Sequence, residues 1–193
     1  MTDQMIQDWS YKFANILRNI STEDLKTIVT LVDLSANHTA WNQEVPIYQT
    51  VVGSVTNIEQ IKIILESKNP TLAKMDVSAN FNQWLLVAFW KNDIKLMRKL
   101  VTHPTFTYPG SGSYNRYTRR EELTPLYKIL KRYQKEEFEW YKIQALYDLL
   151  PRNFRCYFIA DYFTALNLLD LPQGVCHQWV SQGLEIFYSF TCS

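Results

Sequence analysis

A segment recurs about every 39 residues along this 193-residue chain, and that recurrence constrains the fold more than any other feature. Residues 83–101 read QWLLVAFWKNDIKLMRKLV, a short apolar helix, a polar corner and a second amphipathic helix. Residues 45–65, VPIYQTVVGSVTNIEQIKIIL, repeat that grammar, and residues 124–150 repeat it with a longer corner. Each such hairpin has an oily face that only a neighbouring hairpin can cover. The recurrence therefore predicts a stacked helical array, an architecture that usually binds macromolecules rather than performs chemistry.

The local signals divide the chain further. Met5, Ile6, Trp9, Phe13, Ile16 and Leu17 make one helical stripe over residues 4–19. Ser21, three residues before Asp24, opens a second helix with Leu25, Ile28, Val29 and Val32 inward. The polar stretch 35–44 reads as a loop. Pro46 suits the first turn of a helix that Gly53 and Ser54 break. Thr56 and Glu59 form a capping box for the next helix, which Asn69-Pro70 closes, leaving 70–79 as an irregular linker. A strongly apolar helix over 80–91 leads to a corner at Asn92, which caps a helix over 93–102. His103 stands at the end of that helix, where a cation would meet the dipole. Residues 104–122 form a long loop with turn residues Pro109, Gly110 and Gly112, able to make a two-stranded finger. Helices near 124–134 and 136–150 follow. Two closing helices, 155–169 and 175–190, cover the end of the stack. The expectation is one all-α domain, 1–193, of about ten helices in stacked antiparallel pairs, with an array over 4–150 and capping helices over 151–193.

Leu85, Ala88, Asn92, Ile94, Leu96 and Leu100 stand where ankyrin repeats carry their leucine, alanine, corner glycine and second-helix apolar positions. Thr124-Pro125-Leu126 looks like the Thr-Pro-Leu start of that repeat, and Val45-Pro46-Ile47 is a looser version. The chain thus resembles a divergent ankyrin array of three to four units over roughly residues 9–150. It departs from the pattern in its longer period, the absent corner glycine and an incomplete Thr-Pro-Leu-His start. The resemblance implies a small adaptor or inhibitor of the effector, viral host-interaction or immunity type.

Composition narrows the function classes. The net charge of +1 gives no global drive toward nucleic acid or an anionic membrane. The opening residues fit neither a secretory signal nor a spanning helix, and three cysteines late in the chain do not suit a disulfide framework. The expectation is a cytoplasmic protein, or one in a host cytoplasm if it is exported, monomeric or weakly dimeric. No cofactor or metal is expected. His38, His103, His177, Cys156, Cys176 and Cys192 occur without ligand spacing, and Gly110-Ser111-Gly112-Ser113 lacks the lysine and helix start of a phosphate loop. Cys156, among Phe154, Tyr157 and Phe158, suits a buried thiol. An enzyme with a cysteine nucleophile is the rival reading.

Binding residues are the remaining question. Basic side chains from Arg116 to Lys135 alternate with Tyr114, Tyr117, Tyr127 and Tyr133, a pattern that can hold single-stranded nucleic acid or an acidic partner. Glu121, Glu122, Glu136, Glu137 and Glu139 neutralise that stretch, so protein is favoured over nucleic acid. Tyr and Arg are enriched at interface hot spots. Tyr108, Tyr114, Arg116, Tyr117, Arg119 and Arg120, with Trp41 in the first polar loop, are the candidate partner-binding residues. The sequence therefore reads as a non-enzymatic module that blocks or redirects a protein.

Overall fold

The computed structural model describes residues 15–16, 19–40, 43–55, 57–74, 78–108 and 124–188. Among them are ten helices and one small β-hairpin. The chain divides into two compact units, Met1–Val87 and Ala88–Ser193.

In the first unit, α1 spans Thr22–Leu31 and starts where Ser21 accepts a hydrogen bond from the Asp24 backbone N–H at 3.0 Å. Leu25 and Val29, one turn apart, are its buried residues. Val32 falls just past the helix end and is 38% exposed, so it leaves the expected inward stripe. The expected loop at 35–44 is instead an antiparallel hairpin, β1 (Asn37–Ala40) against β2 (Gln43–Pro46), with Asn37 opposite Pro46. A polar segment still has to satisfy its backbone groups, and the ladder does so. The pairing runs on through Ile47 N–H to Ala36 O at 2.9 Å and Tyr48 N–H to Leu34 O at 3.1 Å. Pro46 accordingly ends a strand, and α2 runs from Ile47 to Ser54.

Helix α3 spans Ile58–Glu66, and its N-cap is Asn57, whose Oδ1 accepts from Gln60 N–H at 2.9 Å. The cap thus falls one residue after the expected Thr56, on a side chain equally suited to it. Asn69 opens a further turn, α4 (Pro70–Ala73), where an irregular linker was expected; its Oδ1 accepts from Thr71 N–H, and Pro70 fills the first turn. Helix α3 packs on both α1 and α4. Side-chain donors tie the pieces together: Gln60 to Ile20 O at 3.1 Å, Asn69 to Val29 O at 3.0 Å, and the buried Trp84 indole to Val55 O at 3.2 Å.

Helix α5, Ser78–Trp90, runs through the boundary between the units. It ends in a Schellman turn: Asp93 N–H reaches Ala88 O at 2.9 Å, and Asn92 N–H reaches Phe89 O at 3.0 Å. Asn92 sits at φ 53°, the left-handed region that glycine or asparagine tolerates best. It is the corner, as its place in the pattern implies, but Asp93 is the cap. The Asp93 carboxylate accepts from Leu96 N–H at 2.9 Å and starts α6, Ile94–Val101. His103 follows. Burial holds its pKa below the ordinary value, and Nδ1 accepts from Thr105 N–H at 3.3 Å.

The second unit continues with α7 (Pro125–Tyr133), α8 (Trp140–Leu149), α9 (Arg152–Leu168) and α10 (Gln173–Tyr188). Helix α6 packs on α8, α7 on α9, and α9 on α10. Gly183 is the condition for the last contact. A Cβ there would lie 2.6 Å from the Tyr162 ring, and the Tyr162 hydroxyl donates to Trp179 O at 2.7 Å.

Candidate functional site: an aromatic cleft

A row of rings crosses the second unit. Trp90 meets Tyr133 at 5.4 Å between centroids, Tyr133 meets Phe138 at 4.6 Å, and Phe138 lies against both Trp140 at 4.0 Å and Trp179 at 4.5 Å. Local structure accounts for the row. Helix α7 stops at Tyr133, the segment 134–139 carries Phe138 across, and α8 begins at Trp140. Opposite them, α10 presents Val175, Gln178, Trp179 and Gln182, spaced at i, i+3, i+4 and i+7 and therefore on one face. The Gln134 amide donates to Asp170 O at 3.2 Å and closes one end. Between the two sides lies an open cleft of about 730 Å³. Its size is that of a pocket for a peptide side chain or a small ligand.

The charges around it are unevenly committed. Arg132 donates from Nε to Glu136 at 2.8 Å while its guanidinium lies 4.1 Å from the Trp90 ring centroid. Glu139 is held by Lys142 and by the Tyr141 hydroxyl, hydrogen bonds that lower its pKa. Glu137 and Asp170 line the cleft with no ion pair among the described residues, against one lysine, Lys135. Gln182 Oε1 is buried and has no hydrogen-bond partner among the described residues. An unpaired buried acceptor costs about 1–3 kcal/mol.

A second cluster lies at the foot of the expected finger. The Tyr108 hydroxyl donates to Asp161 Oδ2 at 2.9 Å, and its ring meets Phe158 edge-on at 6.1 Å. Thr124 also hydrogen-bonds the Asp161 carboxyl while its Oγ1 accepts from Tyr127 N–H at 3.1 Å to cap α7. Asp161 is 2% exposed, and burial pushes its carboxyl up to about 6 despite these two hydrogen bonds. Burial, with the Asp161 charge behind it, raises the Tyr108 phenol well above its usual value. Asp161 therefore ties together the two residues on either side of 109–123.

Of the residues singled out in the sequence, Tyr108 is half-buried with its hydroxyl turned to Asp161. Tyr114, Arg116, Tyr117, Arg119, Arg120 and Trp41 lie outside the described residues, as do residues 109–122 of the expected finger. The basic run is partly committed: Lys131 lies over the Tyr127 ring at 5.7 Å, and Arg132 is paired and stacked. Cys156 is exposed rather than buried, because Phe158, two residues on, takes the inward face of α9. Cys176 is half-buried. The described residues hold no group of three metal-ligating side chains, and no helix among them is long and apolar enough to cross a membrane. Sequence reasoning passed over Phe138, Trp140, Trp179 and Gln182. Their available signal was the 175/178/179/182 face of α10, which mixes aromatic with amide where a purely buried face would be apolar. No protein-family model, curated protein or solved structure matches this chain.

Proposed function

We propose that this chain is a non-enzymatic protein-binding module acting inside a cell, and that it holds a partner through the cleft walled by Phe138, Trp140 and Trp179. The observation that carries this reading is the open cleft of about 730 Å³ with ring walls and an uncommitted polar rim. Aromatic side chains around a desolvated pocket supply contact area at low entropic cost, and interfaces concentrate their energy in such places. Stacking in the ankyrin manner fits the left-handed corner at Asn92 and the Thr124 cap followed by Pro125 in the first turn. It also fits the packing of alternate helices, α1 on α3, α6 on α8 and α7 on α9. Holding a partner at the cleft would block or redirect it.

The test is a binding measurement on a partner captured from the source cell. Val175→Trp fills the cleft from its half-buried rim, and Phe138→Ala removes a wall. Each should weaken the partner at least about tenfold, a loss of about 1.4 kcal/mol, with the helical spectrum intact. The double change Arg116→Ala, Tyr117→Ala is the contrast. If it abolishes binding and the cleft variants do not, recognition belongs to the 108–120 segment instead.

A further inference from the structure

We infer that the exposed face of α7 is a docking strip for a short acidic segment of a protein, its carboxylates set against Lys128, Lys131 and Lys135. Every exposed side chain within α7 is a cation, Lys128, Lys131 and Arg132, and exposed Lys135 follows the helix. The four stand at i, i+3, i+4 and i+7 and so share one face. Arg132 is held by Glu136 and by the Trp90 ring. Lys128, Lys131 and Lys135 make no ion pair among the described residues. The helix itself calls for only part of this charge. Lys131 and Arg132, in the last turn, meet the negative end of the dipole. Lys128 stands four residues into the nine-residue helix, away from that end, and repels the cations one turn on. Carboxylates laid along the face relieve that repulsion. This strip does not depend on the cleft, with which it shares only Lys135.

Two features select a peptide over a nucleic-acid strand. The rings beside these cations are already covered: Lys131 lies over Tyr127 at 5.7 Å and Arg132 over Trp90 at 4.1 Å. Bases would find neither ring open for stacking. Glu136, Glu137 and Glu139 come directly after the face, so a phosphate chain running past Lys135 would meet like charge. A short peptide ends before them. Lys128 and Lys135 lie about 10 Å apart along the helix axis. An extended segment of about three or four residues covers that distance, with its alternate side chains about 7 Å apart on one side. Helix α6 also exposes cations, Lys95, Arg98 and Lys99, but Lys99 is already engaged.

The probe is hexaglutamate carrying a fluorescent dye, titrated with the full chain and followed by polarisation. The expected result is a saturating rise that hexaglutamine with the same dye does not give. Raising the salt from about 50 to about 200 mM should weaken it at least about threefold, since exposed charges are screened. Lys128→Ala with Lys131→Ala should weaken hexaglutamate at least about threefold at an unchanged melting temperature. Lys95→Ala with Arg98→Ala removes the same charge from α6 and should leave the affinity unchanged. Equal weakening by the two pairs would show attraction to net charge rather than to this face, and would overturn the assignment. Failure to saturate at about 1 mM protein in low salt overturns it too. Tighter binding of hexauridylate than of hexaglutamate would make the face a nucleic-acid surface and overturn the peptide assignment. None of these outcomes decides the cleft, which Phe138→Ala and Val175→Trp test separately.

Discussion

The two units bury different materials. In Met1–Val87 the core is aliphatic: Leu25, Val29, Leu34, Val51, Val52, Val55, Ile61, Ile64 and Leu72, with Trp84 the large ring among them. In Ala88–Ser193 a set of rings joins the aliphatic side chains, and every ring–ring contact between described residues falls there, from Phe89 to Phe187. Aliphatic side chains fill space and leave nothing polar at their ends. Rings fill space too, but their faces carry a quadrupole and Tyr and Trp carry a polar edge that needs a partner. The same row of rings that closes the second core can therefore be left open at one place and become a binding wall. The first unit's corresponding hollow, at Tyr48, Pro70, Thr71 and Lys74, measures about 290 Å³ and has one ring.

Six substitutions probe that contrast, in decreasing order of effect. Trp84→Ala removes the large ring of the aliphatic core and strands Val55 O, so chemical denaturation should show a loss of about 3–5 kcal/mol. A loss below about 1 kcal/mol would mean that the first core does not depend on it.

Next is pH. The Asp161 carboxyl is raised from 3.8 to about 6 in the folded chain, so the neutral acid is the form the fold prefers. Its contribution is complete below pH 3.8 and is lost as pH rises through about 6. The shift corresponds to about 3 kcal/mol of stability falling across that window, and Asp161→Asn should flatten the dependence. An unchanged slope in the variant would assign the titration elsewhere.

Gly183→Ala comes third. The new methyl meets the Tyr162 ring, and about 1–3 kcal/mol should be lost as α9 and α10 part. Tyr162→Phe in the same background isolates the hydrogen bond to Trp179 O, worth about 1 kcal/mol. Smallest is the corner. Asn92→Ala should cost about 1 kcal/mol at φ 53°, and Asn92→Gly should be near neutral. Equal melting of the two would show that the left-handed turn is not held in solution.

Much of this architecture was legible before any coordinates. Ser21 and Thr124-Pro125 announce helix starts because a short oxygen side chain and a residue without an N–H suit those places, and both caps form. Asn92 was recognisable as a corner from its place between two helices, where the ankyrin-like pattern has its corner glycine. The hairpin was not legible: its strands are polar, and the ladder that holds them is a backbone property with no side-chain period to read. Cys156 was misread because neighbours in sequence are not neighbours on a helix face. The cleft was the hardest to foresee. Tyr133 ends one helix, Phe138 lies in a connection, Trp140 opens another helix, and Trp179 belongs to a fourth segment. Only packing brings them together. A ring that serves as wall and a ring that serves as core look the same in a sequence, and Gln182 shows its unpaired oxygen only once its surroundings are in place.

Amide hydrogen exchange of the full chain, alone and with its captured partner, tests the central claim most directly. The account predicts slowed exchange confined to 134–140 and 170–182, the two sides of the aromatic cleft. Protection that appears only at 108–120 or 35–44, with the cleft exchanging as it does in the free protein, would contradict it.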